Sequence, residues 1–357
     1  MRIESARNLE YSIQVAVVVS GLPGFSDVRI RRELRNPLPW VREIEVGDEP
    51  FDSTFYIGGP MRLVCALLDA ETRRLLVGVN AECRLELVGG ELQAETSDMQ
   101  LSHVLPRLVD LGRRFSQSRD VARRLTRNAR RDPAAGVRLQ NLLLLVRESP
   151  GNPSVVKALR RACSDSSPKI RLWAARELGA EGRDALMQLA GSEEDEDCSA
   201  QAVSALGLEL PFERTNAILV QALRGRHIQT ARACLEALGR SGAAAAAEPP
   251  LIQALQHENA EVQVAAANGL GRLGSATAVL PLKEAAARSP RDQEIGRATR
   301  QAIAEIQSRL QGASRGQLSL AEAKVGQLSL AQAEAGQLSL ATDPAGQLSL
   351  PPGEPET

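Results

Sequence analysis

Four segments of the chain share one frame. IRLWAARELG (Ile170 to Gly179), CSAQAVSALG (Cys198 to Gly207), TARACLEALG (Thr230 to Gly239) and VQVAAANGLG (Val262 to Gly271) carry small residues at the middle, a leucine next to last and a glycine at the end. The leucines, Leu178, Leu206, Leu238 and Leu270, recur at steps of 28, 32 and 32 residues. One step on lies Ile303 in IGRATRQAIA, and one step back lies Val146 in RLQNLLLLVR, so about six units are expected, the outer two degenerate as end caps. Alanine lets neighbouring helices approach, leucine fills the seam, and glycine accepts the left-handed backbone that ends a helix. A second apolar segment follows in each unit (DALMQLA, AILVQALRG, PLIQALQ, AVLPLKEAA), separated from the next by a polar turn. One such helix pair cannot cover its own apolar faces, whereas a row of pairs can. The expected fold class is mainly α: an α-solenoid over 138–311.

Composition agrees with small-residue packing. Hydrophobic residues make up 43% of the 357 but aromatics only 3%, so cores must be built from Leu, Val and Ala. Only four of the 43 basic residues are lysine (Lys157, Lys169, Lys283, Lys324), a skew that points to a GC-rich bacterial genome. The formal net charge of −1 creates no whole-molecule attraction to nucleic acid or anionic lipid. The five cysteines are scattered, with no C-x-x-C pair, which argues against a disulfide framework or a thiolate zinc site. The start of the chain is polar, and the early apolar run VAVVV is far too short to span a membrane. A reduced, cytoplasmic protein without a membrane partner is expected.

Residues 1–98 have the pattern of a small α+β domain. YSIQVAVVV, DVRIRREL, WVREIEV and FDSTFYI have strand composition, MRLVCALLDAETRRLL has helical spacing, and ECRLELVGGELQAE reads as a hairpin turning at Gly89-Gly90. Within it, GDEPFDSTF, with Gly47, Asp48, Phe51, Asp52 and Phe55, resembles a G-D-x-x-F-D-x-x-F stretch that precedes a helix in bacterial proteins of uncharacterised function; the resemblance implies no activity. Residues 99–131 read as one amphipathic helix, part of a connecting segment over 99–137. Its apolar stripe runs through Leu101, Val104, Leu105, Leu108, Phe115 and Leu125. Opposite it stand arginines. Arg113, Arg123, Arg124, Arg127 and Arg131 are the candidate contacts for an anionic partner; nucleic acid is disfavoured because no aromatics interleave for base stacking.

The repeated frame resembles HEAT repeats, in particular the short variety also seen in phycobilin lyases, whose units centre on V-R-x-x-A-A-x-x-L-G. Ile170, Arg171, Ala174, Ala175, Leu178 and Gly179 match best, then Val262, Ala266, Leu270 and Gly271; Cys198 and Thr230 stand where valine is usual. The resemblance implies an α-solenoid that binds other proteins, with the second helix of each pair on the concave side. Gln188, Gln221, Arg224, Gln253 and Lys283 are therefore the candidate partner contacts of a non-catalytic scaffold or adaptor. The alternatives are a bilin-lyase-like enzyme or assembly factor, and nucleic-acid binding through the arginine-rich helix. No catalytic residue, cofactor or metal ligand is expected: His103, His227 and His257 lack ligand spacing. The acidic run in GSEEDEDC (Gly191 to Cys198) lacks a calcium loop's pattern and reads as a solvated turn favouring the next helix. Trp173 reads as a core or seam residue.

The chain closes with GQLSL written four times at a ten-residue step. QLSL resembles the start of the sliding-clamp-binding pentapeptide, but alanine or proline takes the place of the aromatic that anchors it. Two leucines per module supply too little apolar surface to offset chain ordering, so 312–357 is expected to be a disordered, multivalent tail.

Overall fold

The computed structural model describes residues 2–7, 13–20, 26–32, 43–116, 120–310, 318–320 and 328–330. The chain divides into two compact units, Met1–Ser241 and Gly242–Thr357.

The first unit opens with six strands: β1 (Arg2–Arg7), β2 (Ile13–Val19), β3 (Arg29–Arg32), β4 (Phe55–Gly58), β5 (Arg84–Val88) and β6 (Glu91–Ser97). They form an antiparallel sheet in the order β1-β2-β6-β5-β3-β4. The β5–β6 hairpin turns at Gly89 and Gly90, whose φ values of 63° and 79° suit glycine. Three helices, not one, interrupt the strands: α1 (Glu49–Asp52), α2 (Met61–Leu67) and α3 (Ala70–Glu82). The continuous apolar run of MRLVCALLDAETRRLL hides a break at Leu68, after which the Asp69 carboxylate accepts the Thr72 N–H at 2.9 Å and caps α3. FDSTFYI is a strand only in its second half. Its first half turns helically because Asp52 gathers the N–H groups of Val46, Gly47 and Asp48 at 2.9 to 3.0 Å. Within WVREIEV, residues 43–46 form no strand, although Ile44 and Val46 are buried.

Next comes α4 (Asp98–Ser116), which packs on β2, β6 and α3. The single helix expected over 99–131 is in fact two. The second, α5 (Val121–Arg131), starts from its own cap: Asp120 accepts the Arg123 N–H at 3.0 Å. It packs on α2 and on α6 (Ala135–Glu148), and so belongs with the helical array. The array continues through α7 (Pro153–Ala162), α8 (Pro168–Leu178), α9 (Arg183–Ala190), α10 (Glu196–Leu206), α11 (Phe212–Gly225) and α12 (Ile228–Leu238), each helix packing on its neighbours in sequence or one pair away. α10 lies against α8, α9 and α12, so its core residues Ala202, Val203 and Leu206 are closed on several sides.

The second unit contains α13 (Ala244–Ala254), α14 (Ala260–Leu273), α15 (Val279–Arg288) and α16 (Gln293–Leu310), with α14 packed on α13 and α16. Leu206, Leu238 and Leu270 are buried at or near the C-terminal end of α10, α12 and α14; Leu178, ending α8, is half-buried. The frame glycines divide by task. Gly179 and Gly207 have φ of 57° and 51° and end their helices as expected. Gly239 does not, remaining right-handed at −66°, and Gly271 sits inside α14, where a Cβ would lie 3.1 Å from Ala302 Cα of α16.

In the tail, the LSL triplets of the first two GQLSL copies, β7 (Leu318–Leu320) and β8 (Leu328–Leu330), pair antiparallel. The expectation of disorder for the rest of 312–357 lies outside the described residues.

Candidate partner-binding surfaces and the arginine cleft

Arginine–carboxylate pairs tie successive elements of the first unit together. Arg73 of α3 is 3% exposed; its guanidinium holds Asp132 in a bidentate pair at 2.8 and 2.9 Å and reaches Asp48 at 2.6 Å. Burial opposes the Arg73 charge, but the bonds and charges of Asp132 and then Asp48 outweigh it and raise its pKa. The same step recurs. Arg138 grips Asp165 at 2.6 and 2.8 Å and donates to the Asp132 carbonyl; Arg171 pairs with Glu194 at 2.6 Å and donates to the Asp165 carbonyl. Burial pushes the Asp165 carboxyl up, yet Arg138 and the Ser167 N–H bring it below the ordinary value. Beside these pairs Gly47, at φ 94°, meets Gly136 so closely that a Cβ on Gly136 would lie 2.2 Å from the Gly47 carbonyl oxygen. The G-D-x-x-F-D-x-x-F stretch thus docks the sheet domain on α6, while Phe51 and Phe55 pack with ring centroids 4.9 Å apart.

Four of the five acids in the run between α9 and α10 are engaged internally. Glu193 accepts from Gln221, Glu194 pairs with Arg171, Asp195 caps α10 through the Cys198 N–H, and Glu196 accepts the Gln229 N–H of α12. Its acids do serve the helix that follows, and they also bridge to three other helices.

Gln188 on α9 and Gln221 and Arg224 on α11 are exposed, as are Gln253 on α13 and Lys283 on α15. Each lies on a helix that also carries buried residues: Leu186 and Leu189 on α9, Ile218 and Ala222 on α11, Leu251 and Ala254 on α13, Leu282 and Ala285 on α15. None of the five lines a cavity described here. The concave sites fall elsewhere. In the second unit a groove of about 540 Å³ runs between α14 and α16, lined by Asn268, Arg272, Arg297 and Gln301.

In the first unit two adjoining hollows of about 510 and 370 Å³ lie where α3, α4 and α5 meet, sharing Asp69, Glu71, Arg114, Arg127 and Asn128. Of the arginines singled out from sequence, Arg127 lines both, Arg131 the larger, and Arg113 and Arg124 the smaller. Arg123 lines neither. Arg114, beside Arg113 on α4, also lines both hollows, and Arg74 comes from α3, which no spacing along 99–131 could reveal. His103 is exposed on α4, and His257 Nδ1 accepts the Asn259 N–H in a turn. Trp173 is partly buried against the core, a seam position. Burial pushes the Cys65 and Cys234 thiols up to about 12. Among the described residues no group of His, Cys, Asp and Glu could hold a metal ion, and no helix is long and apolar enough to cross a membrane.

No curated protein matches the sequence. A crystal structure of an engineered protein from the Northeast Structural Genomics Consortium is 18% identical, with a TM-score of 0.32 over 54% of this chain and 91% of that one. The model of HEAT repeats matches residues 118–207 and 216–304, half of the chain, and its first match takes in α5. Stacked helix pairs, leucines at their seams and this match make the chain a member of the HEAT-repeat family.

Proposed function

We propose that the protein is a non-catalytic scaffold that holds a protein partner on the exposed faces of the second helices of its repeats. The observation that carries this reading is the split character of those helices. One face is consumed by the stack, while Gln188, Gln221 and Arg224 in the first unit, and Gln253 and Lys283 in the second, stand exposed. Long polar side chains on a rigid helical support supply hydrogen bonds and charge complementarity, which set specificity more than raw affinity. HEAT arrays in general serve as protein-interaction modules, and that generic role extends here to this specific surface.

The test is charge placement. Gln188→Glu with Arg224→Glu, and separately Gln253→Glu with Lys283→Glu, should abolish capture of a partner while leaving the thermal transition unmoved, since exposed substitutions stay within about 0.5 kcal/mol. Capture unchanged by both pairs of substitutions would refute the assignment. So would equal loss of capture and stability, which would make these residues structural.

A further inference from the structure

The hollow between α3, α4 and α5 has too many guanidinium groups for its carboxylates. Asp132 is consumed by Arg73, Glu71 pairs with Arg74, and Asp110 pairs with Arg113. Asp69 is committed to the start of α3, accepting from the Thr72 N–H and hydroxyl, with Arg114 at 3.4 Å. Arg124, Arg127 and Arg131 are left over. Arg124 donates to the Arg114 carbonyl at 3.3 Å, and Arg127 and Arg131 have no hydrogen bond or ion pair among the described residues. These three follow one another at i, i+3 and i+7 on α5, which puts them on one face, and that face lines the hollows. Arg123 and Arg130, on the same helix, lie outside them.

Three like charges gathered in a concave site repel one another, and an anion inserted between them removes that repulsion. Guanidinium forks match two-oxygen acceptors, carboxylate or phosphate, in bidentate pairs. A hollow of about 510 Å³ exceeds what one inorganic anion fills and suits a stretch of side chains. No aromatic residue lines either hollow to stack on a base, which disfavours a nucleic acid.

We infer that this cleft is a second binding site, taking a polypeptide segment with clustered anionic side chains, either glutamate-rich or phosphorylated. It is independent of the repeat-face reading, and either can fail without the other. The two anion sources are separated by the probes.

The experiment measures binding of four fluorescent or unlabelled probes to the full chain at low and physiological salt: a glutamate-rich peptide, a phosphoserine peptide of neutral background, inorganic phosphate and a single-stranded oligonucleotide. One or both peptides should bind, more weakly as salt rises. Phosphate alone should bind far more weakly than either. Arg127→Glu with Arg131→Glu should weaken the bound peptide by at least about tenfold, the usual scale for losing charge-assisted hydrogen bonds. Arg123→Glu with Arg130→Glu makes the same charge change outside the cleft and should leave binding within about twofold of the parent in physiological salt, where distant charges are screened. Thermal transitions of both variants should match the parent, because all four residues are exposed. Equal weakening by both variants would overturn the site in favour of diffuse charge. Binding of the oligonucleotide without either peptide, or of none of the probes, would overturn it outright.

Discussion

At the scale of single residues, three of the four repeat frames keep a task rather than a side chain. Arg171 follows the frame's first apolar residue and donates to the Asp165 carbonyl six residues back. In the next module the same place holds Ser199, whose hydroxyl donates to the Ala190 carbonyl at 2.7 Å; in the last it holds Gln263, whose amide reaches the His257 carbonyl. Each closes a turn carbonyl that the preceding helix leaves unpaired. At Ser199 and Gln263 the departure from V-R is a substitution of donor, whereas Ala231, at the same place in the third module, has no side-chain donor. Where arginine is kept, charge enters. Asp165 titrates below its ordinary value when folded, so Arg138 stabilises the fold above pH about 4, where the unfolded carboxyl is ionised. That contribution is lost as pH falls through the folded value. Asp165→Asn should therefore lower stability most at neutral pH, and the gap to the parent should close in acid; a gap constant from pH 7 to pH 3 in denaturant titrations would contradict the pairing. Thiols give a second check. At a pKa of about 12, Cys65 and Cys234 hold on the order of a thousandfold less thiolate than an ordinary cysteine. Alkylation of the native chain at pH 7 should spare both, and labelling of either at the rate of the unfolded chain would refute their burial.

At the scale of elements, legibility followed the range of the interaction. The first helices of the repeats could be read because their alanines and leucines recur on one face. The hairpin at Gly89-Gly90 could be read because its turn demands positive φ. The breaks could not. Apolar spacing runs on across Leu68 and across Asp120, and what sets the new helix starts is the capping by Asp69 and Asp120, polar residues inside an apolar rhythm. Asp52 was hidden in the same way, within a run of strand-forming residues. The arginine cleft was half legible: its arginine-rich segment could be read, but Arg74, Asp69 and Glu71 come from elsewhere in the sequence. Two substitutions test the element boundaries. Asp195→Ala removes the cap of α10 and should cost about 1 kcal/mol of stability by chemical denaturation. Gly182→Ala would put a Cβ 1.9 Å from the Ala175 carbonyl oxygen and should cost about 1 to 3 kcal/mol; a neutral result would mean that α8 does not pack this closely on the turn before α9.

At the scale of the molecule, the modules are expected to hold one another up. α10 touches α8, α9 and α12, and few of its buried residues could be covered by its own pair alone. Stability in such an array is the sum of weak units and the interfaces between neighbours, so damage at one seam should spread along the array and fade with distance. The core around Phe51, Phe55, Ile57 and Leu76 of the sheet domain runs on through α5 to Ile170 and Ala174 of α8 but takes in no residue of α10, so the sheet should feel that damage least. Leu206→Ala, which removes a buried seam residue at a cost of about 2 to 5 kcal/mol, is the sharpest lesion. Amide hydrogen exchange across the whole chain, compared with and without that substitution, is the most direct test. The stacked-module account predicts faster exchange in α10, then in α8, α9 and α12, with β5 and β6 unchanged. Loss of protection confined to α10, or equal loss in helices and sheet alike, would contradict it.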